Sequence, residues 1–164
     1  MQGLHLTADL AGCQHNLSLM TDVANLRSAC LDLVRTSGLT VVGELFHAFP
    51  GLTEGESGGI TGTVLLAESH LALHTWPEQR AVTLDVYVCN FSTDNSSKAA
   101  QLLDSLIDLF KPEDSNRQSL LRGEIGRAHS GADASMGHEY LNKHSSYAYR
   151  LGPLLHREIG RAHV

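Results

Sequence analysis

Between residues 3 and 10, apolar and polar side chains alternate. Leu4, Leu6, Ala8 and Leu10 fall on one face, and His5, Thr7 and Asp9 on the other. A period of two predicts a half-buried strand. Gly12 and the polar run to Ser18 predict a turn. From Leu19 the period lengthens: Leu19, Val23, Leu26, Cys30 and Leu33 form the apolar stripe of a helix. Asp22 suits its first turn, Arg35 its last and Gly38 its stop. Residues 39–48 predict a second strand, and the Gly-rich, acidic stretch 50–59 a loop. Residues 60–67 and 70–76 predict two more extended segments, the second ended by Pro77. Val82, Leu84, Val86 and Val88 alternate with Thr83, Asp85, Tyr87 and Cys89, which predicts a further strand with Cys89 on its more polar face. Thr93, Asp94 and Asn95 offer caps for a helix with the stripe Ala99, Leu102, Leu103, Leu106 and Phe110, closed by Lys111 and Pro112. Residues 118–122 predict a short last strand.

The resulting order, β-α-β-β-β-β-α-(β), places strands consecutively in the middle. It predicts an α+β fold: a two-layer α/β sandwich with a largely antiparallel sheet and two helices packed on one face. The other face is left for an active site or a partner.

Composition narrows the class. A chain of 164 residues, 42% hydrophobic and 18% charged, is expected to be one globular domain, alone or with an appendage. No apolar run is long enough to span a membrane, and the first residues lack the pattern of a secretory signal. Cys13, Cys30 and Cys89 are an odd set without metal-type spacing. They point to a reducing, cytoplasmic setting with room for one functional thiol. A formal charge of −6 argues against nucleic acid or an anionic membrane as partner. Residues 124–129, Glu-Ile-Gly-Arg-Ala-His, recur at 158–163. Two copies do not make a solenoid, and the final stretch resembles translated sequencing-adapter DNA. Residues 1–123 are therefore expected to form the domain, and 124–164 a non-native or artefactual tail.

The densest chemistry lies between residues 58 and 90, where two extended segments flank Glu68, Ser69, His70, His74, Thr75, Trp76 and Glu78. Each of these polar groups needs a partner if buried. Ser69 alone would read as an ordinary strand serine, and no Gly-x-Ser-x-Gly elbow surrounds it. His70 and His74 share a strand face, because their separation is even. They can be read as a metal- or ligand-binding pair, although no third ligand stands at recognisable spacing. Cys89 alone would read as a small buried hydrophobe.

The string Glu68-Ser-His-Leu-Ala-Leu-His-Thr-Trp-Pro-Glu78, followed by Asp85-Val-Tyr-Val-Cys89, closely resembles the short bacterial and archaeal form of the S-adenosylmethionine decarboxylase proenzyme family. The resemblance covers roughly residues 1–123, with residues 3–10 and Phe46-His-Ala-Phe49 included. It implies that the chain cuts itself between Glu68 and Ser69, and that Ser69 becomes a covalent pyruvoyl cofactor. It implies that His74 moves protons during the cut and that Thr61 assists, a hydroxyl where the family commonly has serine. In turnover it implies a Schiff base with S-adenosylmethionine, loss of CO₂ and protonation by Cys89, on the way to spermidine. Phe49 would stack on adenine and Glu78 would hold the ribose, although from sequence alone Phe49 fits a core position equally well. The resemblance further implies a homodimer of processed chains, without a metal or an activating polyamine. A relative that acts on arginine is the nearest alternative, and a non-catalytic module using His70 and His74 is the alternative from another class.

Overall fold

The computed structural model describes residues 2–14, 17–51, 53, 57–67, 69–91 and 93–123, with the backbone alone for Leu17. Glu68 and the tail from residue 124 lie outside the described residues.

Six strands form one antiparallel sheet: β1 (Gly3–Ala11), β2 (Val41–Pro50), β3 (Ser57–Leu66), β4 (Ser69–Trp76), β5 (Ala81–Cys89) and β6 (Asp114–Arg122). Their order across the sheet is β2-β3-β4-β5-β1-β6. The middle four strands thus form a meander, and β1 fills the gap between β5 and β6. Three α-helices accompany the sheet: α1 (Leu17–Thr21), α2 (Val23–Thr36) and α3 (Ser96–Phe110). α2 lies against β2 and β3, and α3 against β1 and β5. This is the expected α+β sandwich, with one short helix more than the periodicity predicts. None of the described helices is long and apolar enough to cross a membrane.

Alternation decides which face is covered. Ala8 and Leu10, Ile60, Val64 and Leu66, Leu71 and Leu73, and every second residue from Val82 to Val88 are buried. They pack against Leu26, Cys30, Leu31 and Val34 of α2 and the Leu102–Phe110 stripe of α3. The intervening residues form an open face: His5, Thr7 and Asp9 opposite Tyr87, Asp85 and Thr83, and then His70, Ala72 and His74 of β4.

Several boundaries differ from the periodic reading. Leu19 belongs to α1, not to the long helix. The chain breaks at Asp22, whose carboxylate caps α2 by accepting from the Ala24 and Asn25 amides at 2.8 and 3.2 Å. A cap needs extended backbone, so the apolar stripe continues in space across a break in the helix. Residues 57–59 belong to β3, not to the loop. The turn after Trp76 is a 3-10 turn, Pro77–Gln79, closed by Arg80 in the left-handed region. β6 begins at Asp114, four residues before the expected strand, and pairs with β1 along its whole length.

One buried side chain joins the layers. Thr75 on β4 is 3% exposed. Its hydroxyl donates to the Met20 carbonyl of α1 at 2.7 Å and accepts from the Ile60 amide of β3 at 2.8 Å. Thr75→Val keeps the shape and strands both partners. Leaving buried polar groups unpaired costs about 1–3 kcal/mol each before relaxation. Urea denaturation should show a midpoint lowered by a loss of about 2 kcal/mol, with the slope unchanged.

Candidate functional site

The central strand β4 carries most of the candidate residues, and its two ends hold different groups. Ser69 opens the strand, in register with Val88 on one side and Leu66 on the other. Its Oγ accepts a hydrogen bond from the Cys89 backbone amide at 3.3 Å. Cys89 closes β5 opposite Gly3, on the open-face row of Asp85, as its alternation predicts; it is buried, at 7% exposure. Ser69 and Cys89 are therefore neighbours, joined by the Cys89 amide. By register the serine falls on the helix-side row and the thiol on the open-side row.

At the other end, His74 faces Thr61 across the β3–β4 ladder. His74 Nδ1 and Thr61 Oγ1 are hydrogen-bonded at 2.9 Å. Trp76 follows, with its ring 5.9 Å from the His74 ring. A cleft of about 630 Å³ opens here, lined by Phe49, Gly59, His74, Trp76 and Glu78 among others. Phe49 is 51% exposed and set edge-on against His47 at 5.0 Å. That exposure removes the core reading of Phe49 and leaves a ring available to a ligand. Glu78 is exposed in the first turn after Pro77. Gly59 is required by close approach: a Cβ there would lie 1.9 Å from the Thr75 carbonyl oxygen.

The two ends are five residues apart along an extended strand, or about 17 Å at 3.3 Å per residue. One protomer thus gathers Ser69 and Cys89 at one end and Thr61, His74, Phe49, Trp76 and Glu78 at the other. Trp76 stands in the cleft without having been assigned a role from the sequence. His70 and His74, about 13 Å apart along their shared face, are too distant for one ion held at about 2 Å from each nitrogen. Their partners also differ: His70 lies near Asp85, and His74 binds Thr61. Among the described residues no three His, Cys, Asp or Glu side chains group as metal ligands.

Burial separates the thiols. All three are free. Burial pushes the Cys30 thiol up to about 12, and it also raises Cys13 although Arg80 partly opposes the shift. Both belong to the helix-side core. Glu44 pairs with Arg27 of α2, and Asp85 pairs with His5.

Comparison with known proteins identifies the family. A family model described as S-adenosylmethionine decarboxylase matches residues 4–123. The chain belongs to that family. A curated S-adenosylmethionine decarboxylase proenzyme from Archaeoglobus fulgidus is 35% identical over 121 residues, which are 74% of this chain and 97% of the relative. One from Aquifex aeolicus is 33% identical over 132 residues, 80% of this chain and 89% of the relative. The crystal structure of the adenosylmethionine decarboxylase from Aquifex aeolicus superposes with a TM-score of 0.64 at 30% identity, covering 80% of this chain and 96% of that one.

The thiol assignment can be checked directly. The thiolate is the form that alkylates. With a thiol raised from 9.0 to about 12, folded Cys30 at pH 8 holds on the order of a thousandfold less thiolate than in the unfolded chain. Peptide mapping after brief iodoacetamide treatment should find Cys30 unmodified in folded protein and modified in urea.

Proposed function

We propose that the chain is a self-cleaving proenzyme that decarboxylates S-adenosylmethionine, supplying the aminopropyl donor for spermidine in the cytoplasm. The observation that carries this reading is the position of Ser69. It is the first residue of a strand paired on both sides, its hydroxyl is held by the Cys89 amide, and it stands in the family string.

The cut follows from ordinary acyl chemistry. Ser69 Oγ attacks the Glu68 carbonyl carbon; the new C–O bond forms as the Glu68–Ser69 C–N bond breaks, giving an ester and a free amine. Removal of the Ser69 α-proton then expels Glu68 as a carboxylate and leaves dehydroalanine. Water hydrolyses its imine tautomer, releasing ammonia and leaving a ketone at position 69. The products are residues 1–68 and 69–164. An imidazole suits the proton transfers, and the Thr61 hydroxyl bound to His74 orients it.

The residues present fit a pyruvoyl group at position 69, because the Cys89 amide that now donates to Ser69 Oγ remains available to a ketone oxygen. When formed, that group supplies a carbonyl that condenses with the substrate amine and a sink for the electrons left by CO₂. Cutting before Ser69 frees that residue to turn toward the open-face row, where Cys89 delivers the proton that replaces the lost carboxylate. The exposed Phe49 ring offers stacking to adenine, and Glu78 offers a carboxylate to ribose hydroxyls. Such a cleft favours a nucleoside over a bare guanidinium substrate.

The unit is a homodimer whose site draws on both copies. In support, His74 and Ser69 sit at opposite ends of β4, beyond hydrogen-bond reach within one protomer. Leu45, Leu65 and Leu120 are also exposed on the same open face as His74, at 75%, 51% and 59%. A second copy packed on that face in two-fold fashion brings its His74 end to the first copy's Ser69 end. The tail 124–164, beyond the matched residues, has no role in this reading.

Mass spectrometry of the purified protein should show two fragments split before Ser69, the second with a pyruvoyl terminus. Ser69→Ala should remain a single chain, and Cys89→Ala should be cut but turn over at least about a hundredfold more slowly. An intact wild-type chain would refute the proenzyme reading. Coexpressed Cys89→Ala and His74→Ala chains should regain about one quarter of wild-type activity, because half the dimers are mixed and each has one intact site. No recovery would refute a site shared between copies.

A further inference from the structure

Next to Cys89 on the open face stands a group of side chains that the chemistry above does not use. Asp85 Oδ2 accepts a hydrogen bond from His5 Nε2 at 2.7 Å. Its other oxygen, Oδ1, is buried and has no hydrogen-bond partner, and it is the one such side-chain atom found among the described residues. His70 Nε2 lies 3.4 Å from it without meeting hydrogen-bond geometry. Tyr87 stands directly opposite both histidines in the ladders, and its ring lies 5.8 Å from that of His5 and 5.7 Å from that of His70. Arg122 of β6 covers the Tyr87 ring at 5.0 Å. Asp85, two residues back on β5, thus reaches diagonally to β1 on one side and β4 on the other.

His70 is the second residue after the proposed cleavage point. In the uncut chain the peptide bond to Glu68 restrains the start of β4. After the cut, Ser69 is a chain end, and chain ends fray unless they are tied down. One of its ladder neighbours, Leu66, belongs to the other fragment. Ser69 Oγ, which the Cys89 amide holds, leaves with Glu68, so the first polar side-chain contact to the rest of the second fragment is that from His70 to Asp85, and it points to an acceptor left open. A buried acceptor without a partner calls for an explanation.

We propose that Asp85 is a positioning residue. Held by His5, it uses its second oxygen to anchor His70 once the chain is cut, and so fixes the new ketone-bearing end beside Cys89. This rests on the reading that the chain cuts before Ser69. The contact is slack in the uncut chain, where the backbone supplies the restraint. It becomes a hydrogen bond in the cut one, where it adds a polar anchor to the ring contact between His70 and Tyr87. Misplacing a reacting atom by about 1 Å can cost a hundredfold in rate, so a loosened end should appear in kcat and not in substrate capture.

The test compares Asp85→Asn in two backgrounds. In the otherwise native chain, mass spectrometry should show cleavage as complete as in the wild type. Kinetics with S-adenosylmethionine should show kcat lowered about tenfold with KM changed by less than about twofold. Hydrogen exchange at the amides of residues 71–73 should be about tenfold faster in the cut protein. In the Ser69→Ala background, which stays uncut, the same substitution should leave those exchange rates within about twofold. His70→Gln severs the tether from its exposed end and should reproduce the pattern if Asp85→Asn does not accumulate as folded protein. Equal acceleration of exchange in both backgrounds, or an unchanged kcat, would show that Asp85 merely stabilises the sheet and would overturn its positioning role. A wild-type chain that stays whole overturns the cleavage reading instead, and this inference falls with it; cleavage is scored in the wild type, so the two failures are told apart.

Discussion

The structure depends on the double pairing of β4. Every residue from Ser69 to His74 has a backbone partner on both β3 and β5. A strand paired on one side could not lose the peptide bond at its start without peeling away. β4 can, because β5 continues to hold it along eight positions, from Ser69 to Trp76. On the cleavage proposed above, β5 lies in the same fragment as β4, downstream of the cut. The other ladder, to β3, joins the two fragments to each other, so the sheet itself keeps the products together. The α-helices strengthen that union, since α2 from the first fragment and α3 from the second pack in one core.

The same strand imposes the separation of the chemical groups. An extended chain advances about 3.3 Å per residue and cannot fold back between Ser69 and His74. A protein that built its site on a helix would bring residues five apart to within one or two turns. This one places them at opposite ends of a sheet and leaves the open face between them uncovered. Exposed leucines on that face, beside histidines and a carboxylate, are poor neighbours for water and good neighbours for a second such face. The geometry of one strand and the two-copy site proposed above are thus the same constraint seen at two scales.

Much of this was legible in the alternation of side chains. The period of two in residues 3–10 and 82–89 left no ambiguity of face: apolar residues such as Leu84 and Val86 went to the helices, and His5, Asp85 and Tyr87 to the open side. The string from Glu68 to Glu78 carried the resemblance to the family whose model matches residues 4–123. What could not be read was set by tertiary contact. β6 is an edge strand with nearly every residue exposed, so no apolar alternation marked its first half. The break at Asp22 was hidden because Leu19 and Leu26 both face the core on either side of the cap. Phe49 could be core or surface until the exposure of β2's last residues was known. The link from Asp85 to His5 spans 80 positions and follows only from the insertion of β1 beside β5.

That insertion has a further consequence for how stability and chemistry are divided. Because β1 lies between β5 and β6, the helix side receives apolar residues from most alternate positions of the inner strands and a nearly continuous core. Core packing of that kind supplies the bulk of folding free energy. The open side is then free of the requirement to be apolar. It can carry His5, Asp85, His70 and His74, whose desolvation would be costly in a core but is modest on a half-exposed face. It can also tolerate an acceptor such as Asp85 Oδ1 without its full complement of bonds. A sheet covered on both faces by its own helices would have no such open side on which to set these polar groups.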